Sequence, residues 1–122
     1  MDIKTFYDIT GGNYEEALSR LMSERIMDKF VRKFTEDPGY DTLIAAMENK
    51  DMETAFRAAH TLKGTCLNLG FGKLAEVSSN LTEALRPGNP TPGEDELMAM
   101  LDAVSESYIN VIKSIEDLDP LA

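Results

Sequence analysis

Apolar residues recur along this chain at spacings of three and four, the period of a helix buried on one face. No alternating run bounded by hairpin turns suggests a strand. The helical pattern is interrupted at Gly11-Gly12, Pro38-Gly39, Gly70 and a stretch from Pro87 to Gly93 that holds three of the five prolines. A short amphipathic helix is predicted around Ile3 to Ile9, and Asn13 is placed to cap the next, with Glu16 as its reciprocal partner. Met22, Ile26, Phe30 and Phe34 repeat every four residues and predict the buried stripe of a third helix, closed by Pro38-Gly39. Asp41 is expected to cap a short helix through Asn49 that buries Leu43, Ile44 and Met47. Asp51 caps a predicted helix of about five turns reaching Leu69, where Gly70 supplies a left-handed stop. Leu74, Val77, Leu81 and Leu85 mark the next helix, and Leu97, Leu101, Val104, Tyr108, Val111, Ile115 and Leu118 mark a long last one. The expected fold is all-α: an antiparallel up-and-down four-helix bundle over about residues 23–118, with additional short N-terminal helices over about 1–21, forming a single domain.

Composition narrows the partners. The formal charge of −10, from 12 basic against 22 acidic residues, opposes binding to nucleic acid or to an anionic membrane surface. No apolar run is long enough to cross a bilayer, and the first residues lack the basic-then-apolar pattern of a signal peptide. The single cysteine, Cys66, cannot form an internal disulfide. A soluble, cytoplasmic, monomeric domain is expected.

The chemistry concentrates between Asp51 and Gly70. At 100° per residue, Ala55, Ala58, Ala59, Leu62, Cys66 and Leu69 fall on one side and form the core stripe. His60, the only histidine, points away from it, together with Glu53, Phe56, Arg57, Lys63, Gly64 and Leu67. A lone outward histidine is more often decoration than machinery, so its neighbours decide. Gly64 lies one turn on, where a helix-interior glycine costs about 1 kcal/mol relative to Ala. Facing away from the core, that glycine has no helix to accommodate and instead opens a path to the imidazole. Lys63 sits beside His60 and can attract a phosphoryl group, although a lone surface lysine, paired with Glu53 or Glu76, is the plainer reading. Phe56 and Leu67, with Phe71 expected close by, mark a contact surface or else cover a neighbouring helix. A neutral imidazole attacks phosphorus competently, here through Nε2, the ring nitrogen furthest from the helix.

Ala58-Ala59-His60-Thr61-Leu62-Lys63-Gly64, followed by Thr65-Cys66-Leu67-Asn68-Leu69-Gly70, resembles the signature of histidine phosphotransfer (HPt) domains. The resemblance covers roughly residues 23 to 118, and the N-terminal segment looks like an extension found in free-standing members. It implies a stoichiometric carrier, not an enzyme, that takes a phosphoryl group on His60 from the aspartate of one response-regulator receiver domain and passes it to another. Such relays begin at a hybrid sensor histidine kinase. By position, Lys63 is the phosphate-side cation and Gly64 the clearance residue, while Phe56, Arg57, Leu67, Phe71 and Lys73 contribute the partner surface. Many members place a Gln or Arg near the acceptor from the following helix; the candidates here are the shorter Asn80 and Thr82. No cofactor or metal is expected on the chain, Mg²⁺ arriving with the receiver.

Two rivals deserve comparison. A non-phosphorylated helical interaction module would leave His60 incidental. The phosphoacceptor domain of a histidine kinase would be joined to an ATP-binding domain, and no Gly-rich nucleotide loop occurs here. Catalytic triads and zinc sites want several His or Cys, and this chain has one of each.

Overall fold

Short polar side chains open most of the helices by taking up backbone N–H groups that a first turn leaves free. In the computed structural model, which describes residues 1–120, Asp2 accepts from the Thr5 N–H at 2.8 Å and opens α1 (Ile3–Thr10). Asn13 accepts from Glu16 N–H at 2.9 Å and opens α2 (Tyr14–Leu21); Ser23 does the same for α3 (Glu24–Lys33) through Ile26. The reciprocal half of the expected Asn13–Glu16 box does not form. The Glu16 carboxylate pairs with Arg20 instead, and the Asn13 N–H donates to the Gly70 carbonyl.

After α3 a single 3-10 turn, Phe34–Glu36, leads to α4 (Gly39–Glu48). This helix starts two residues before the predicted cap. Asp37, not Asp41, takes the free donor, accepting from Gly39 N–H at 2.8 Å. Asp51 opens α5 (Met52–Leu69) as expected, and Gly70, at φ 72°, ends it. α6 (Gly72–Leu85) and α7 (Glu94–Glu116) complete the chain, and no strand occurs among the described residues.

Helices α4, α5, α6 and α7 pack each on its neighbour. Tyr40 of α4 closes the ring, stacking on Tyr108 of α7 at 3.9 Å and donating to Ser105 Oγ at 2.9 Å. The short connections make neighbours antiparallel, which gives the four-helix bundle. The α5 stripe is buried residue for residue as the helical wheel predicts, as are the α6 leucines and Val77. α7 buries its predicted stripe except for Tyr108, which is half-buried.

Of the predicted α3 stripe only Phe34 is buried. Met22 is 85% exposed, and Ile26 and Phe30 are also exposed; the helix turns Met27 and Val31 to the core instead, followed by Phe34. Two apolar stripes run along this segment, and only the second has a bundle face to cover.

The N-terminal hairpin is fastened to the end of α5. Tyr7 donates its hydroxyl to the Leu69 carbonyl at 2.6 Å. A Cβ at Gly12 would stand 2.6 Å from the Tyr7 ring and 2.8 Å from the Gly70 carbonyl, so the close approach requires glycine. Phe71 sits in the same knot, edge-on to Phe6 and Phe34. It is 1% exposed, which removes it from the partner surface expected of it. Its N–H donates to the Cys66 carbonyl, completing the glycine-ended stop whose following apolar residue folds back on the helix.

Candidate functional site

The exposed side of α5 carries His60 near mid-helix, where no helix end or loop screens it. The Phe56 ring, one turn earlier, runs parallel to the imidazole within 3°, with centroids 6.0 Å apart. A Cβ built on Gly64, one turn later, meets nothing within 4 Å. The imidazole therefore has an aromatic wall on one side and open space on the other. Lys63 lies alongside, half-buried along its stem, and makes no ion pair among the described residues. Glu53 is taken by Arg57 at 3.1 Å, which holds that guanidinium on the same exposed face. Leu67, two turns beyond His60, is 43% exposed.

The second helix at the site is α6, where Thr82 is out of reach while Asn80 and Lys73 are exposed. Thr82 is fully buried and donates its hydroxyl to the Ser78 carbonyl at 2.7 Å, so it has no reach to a group on His60. Asn80 lines, together with Glu83, the groove where α6 meets Ala99, Met100 and Ala103 of α7. Lys73 is exposed, but its N–H bonds the Gly11 carbonyl, and its side chain lines a shallow depression with Glu106, Ser107 and Asn110 of α7. What α6 does bring is Arg86, whose guanidinium lies over the Phe56 ring at 5.1 Å. Arg86 follows Thr82 by one turn, on the same side of α6, with a side chain long enough to extend beyond the bundle. Glu83 holds it through two hydrogen bonds of 3.0 and 2.9 Å. Those bonds keep the Glu83 carboxyl below the usual carboxylate range, helped by the charges of Arg86 and Lys63.

On its other flank α5 borders the N-terminal helices. Arg20 of α2 donates to the Leu67 carbonyl. A groove of about 860 Å³ separates α5 from α3, lined by Phe30, Lys33, Thr65 and Asn68 among others. Phe30 and Lys33 of α3 line this groove; Ile26 and, just before the helix, Met22 are exposed as well, and Arg25 and Lys29 belong to the same helix. Cys66 is buried below, where loss of solvation pushes its thiol well above the ordinary range; it packs and does not react. No cluster of three or more potential metal ligands is found among the described residues.

An exposed imidazole with a nearby cation and a clear approach is accessible to a second protein. The model of the family described as Hpt domain matches residues 25–107, more than half of the 122-residue chain. This chain belongs to the Hpt domain family. No curated protein and no solved structure matches it. Hpt domains are phosphocarrier modules that interact with receiver domains and kinases of two-component systems. The Hpt match runs from α3 into α7 and takes in the whole His60 surface, leaving α1 and α2 outside. No described helix is long and apolar enough to cross a membrane.

Proposed function

We propose that this Hpt domain is a stoichiometric carrier in a multi-step phosphorelay, taking a phosphoryl group on His60 from a receiver aspartate and passing it to a second receiver. The observation that carries the reading is the exposed imidazole beside the open notch at Gly64. The Nε2 lone pair attacks phosphorus in line; the Nε2–P bond forms as the aspartyl O–P bond breaks, and the aspartate leaves as a carboxylate with the electron pair. Mg²⁺, brought by the receiver, neutralises phosphoryl charge during this exchange. Lys63 and Arg86 are the cations on this chain that steady the phosphoryl oxygens, Arg86 filling the place expected of Asn80 or Thr82.

The receiver docks across α5 and the exposed stripe of α3, covering Phe56, Leu67, Ile26 and Phe30, with Arg57 and the α3 cations facing its acidic pocket. The chain works in the cytoplasm as a single monomeric unit, upstream partner a hybrid sensor kinase, with no role for nucleic acid. Incubation with a phosphorylated receiver and Mg²⁺ tests the carrier. Wild type should acquire an acid-labile, base-stable label, and His60→Gln should acquire none while keeping its helicity. A wild type that stays unlabelled by every receiver offered leaves the alternative, a helical interaction module.

A further inference from the structure

Arg86 is one aromatic ring away from the acceptor. Its guanidinium rests on Phe56, and Phe56 lies parallel to His60. In this unphosphorylated state one edge of the guanidinium is used by Glu83, Nε donating to Oε2 at 3.0 Å and Nη2 to Oε1 at 2.9 Å. The pair is three residues apart, Glu83 in the last turn of α6 and Arg86 just past its end, with Arg86 and Glu83 side chains 42% and 51% exposed. Such an exposed pair is weak, worth no more than roughly fivefold in an equilibrium. A phosphoryl group offers more charge and three strong acceptor oxygens, and so competes well for the same fork of donors. Glu83 keeps its negative charge beside the guanidinium that rests on Phe56.

We infer that Glu83 is a competing anion that parks Arg86 on Phe56 until a phosphoryl group arrives on His60, so that this pair sets the lifetime of the phosphorylated state. The inference rests on the carrier reading of His60. Phosphorylation transfers Arg86 from carboxylate to phosphoryl oxygens, and Glu83 opposes the transfer by the strength of its own hold. Glu83 is thus a positioning residue, acting through Arg86, which shortens the lifetime of phosphohistidine and makes the group easier to pass on.

Phosphoramidate, which donates its phosphoryl group to an imidazole as ammonia leaves, loads the full chain without a partner. The first-order loss of label is then followed for wild type, Glu83→Gln, Arg86→Gln and the double variant, alongside the Arg86 Nε–Hε NMR signal. Glu83→Gln should lengthen the half-life by roughly two- to fivefold, the range set by a weak exposed pair. Arg86→Gln should shorten it, and adding Glu83→Gln to Arg86→Gln should bring little gain. The wild-type Arg86 signal should move on loading. An unchanged half-life in Glu83→Gln, an equal gain with and without Arg86, or an Arg86 signal that ignores loading would each overturn the inference. Failure of wild type to take label at His60 would sink the carrier reading itself, and shows before any variant is compared.

Discussion

Gly64 offers a substitution whose effects on stability and on transfer should have opposite signs. A methyl group there meets nothing within 4 Å, so Gly64→Ala removes no contact and introduces no clash within the chain. Alanine in a helix interior is favoured over glycine by about 1 kcal/mol, largely because the unfolded chain loses freedom. At roughly 2.1 cal/mol/K of unfolding entropy per residue, 122 residues give about 0.26 kcal/mol/K, so Tm should rise by about 4 °C. The same methyl stands in the approach to His60, and Gly64→Gln extends further into it. If a displacement of about 1 Å costs on the order of a hundredfold in an aligned transfer, Gln should slow transfer by that order and Ala by less. Thermal unfolding followed by far-UV circular dichroism gives the first quantity, and rapid-quench transfer from a phosphorylated receiver gives the second. A Gly64→Ala variant that melts earlier would mean the fold itself needs this glycine. Wild-type transfer by Gly64→Gln would remove the clearance role.

Three further substitutions probe other parts of the site. Lys63→Ala should shorten the life of the phosphorylated protein or slow its formation several-fold without altering Tm; identical kinetics would make Lys63 an ordinary surface charge. Phe30→Asp should weaken receiver binding on the order of tenfold by titration calorimetry, as loss of an apolar contact residue costs about 1–2 kcal/mol, while leaving stability nearly unchanged because the ring is already exposed. Equal affinity would move the docking surface away from α3. Burial pushes the Cys66 thiol up, so the folded protein keeps a proton that the unfolded chain releases above about pH 8.5. Stability should therefore fall as pH rises past that value, and Cys66→Ala should flatten that part of the pH profile; an unchanged slope would show the thiol is not its source.

The sequence pattern resolved α5 in full because its two sides differ in kind: alanines, Leu62, Cys66 and Leu69 on one, charged residues and a glycine on the other. On α3 the same rule misleads. Met22-Ile26-Phe30 and Met27-Val31-Phe34 are both spaced as buried stripes, and periodicity alone does not say which one the bundle covers. Of the outward residues, Phe30 lines the groove between α3 and α5. Phe71 carried a local signal, since an apolar residue after a helix-ending glycine commonly folds back onto its own helix. Arg86 lay hidden beside Pro87, at the start of a turn, although it stands one turn beyond Thr82 and has the longer reach. The Glu83–Arg86 spacing was open to reading as an ion pair, but its position over Phe56 depends on how α6 leans on α5, which only the packed bundle reveals.

Four of the twelve lysines and arginines fall within the ten residues of α3, on a molecule whose formal charge is −10. Against Glu24 and Asp28 in the same helix they leave a local excess of two positive charges beside α5. An acidic partner is repelled by most of the surface and feels a torque that rotates this flank towards it before the two touch. At physiological salt the field fades over about 8 Å, so it acts only across the last few layers of water. There it narrows the rotational search for a contact that must align a single nitrogen with a single phosphorus.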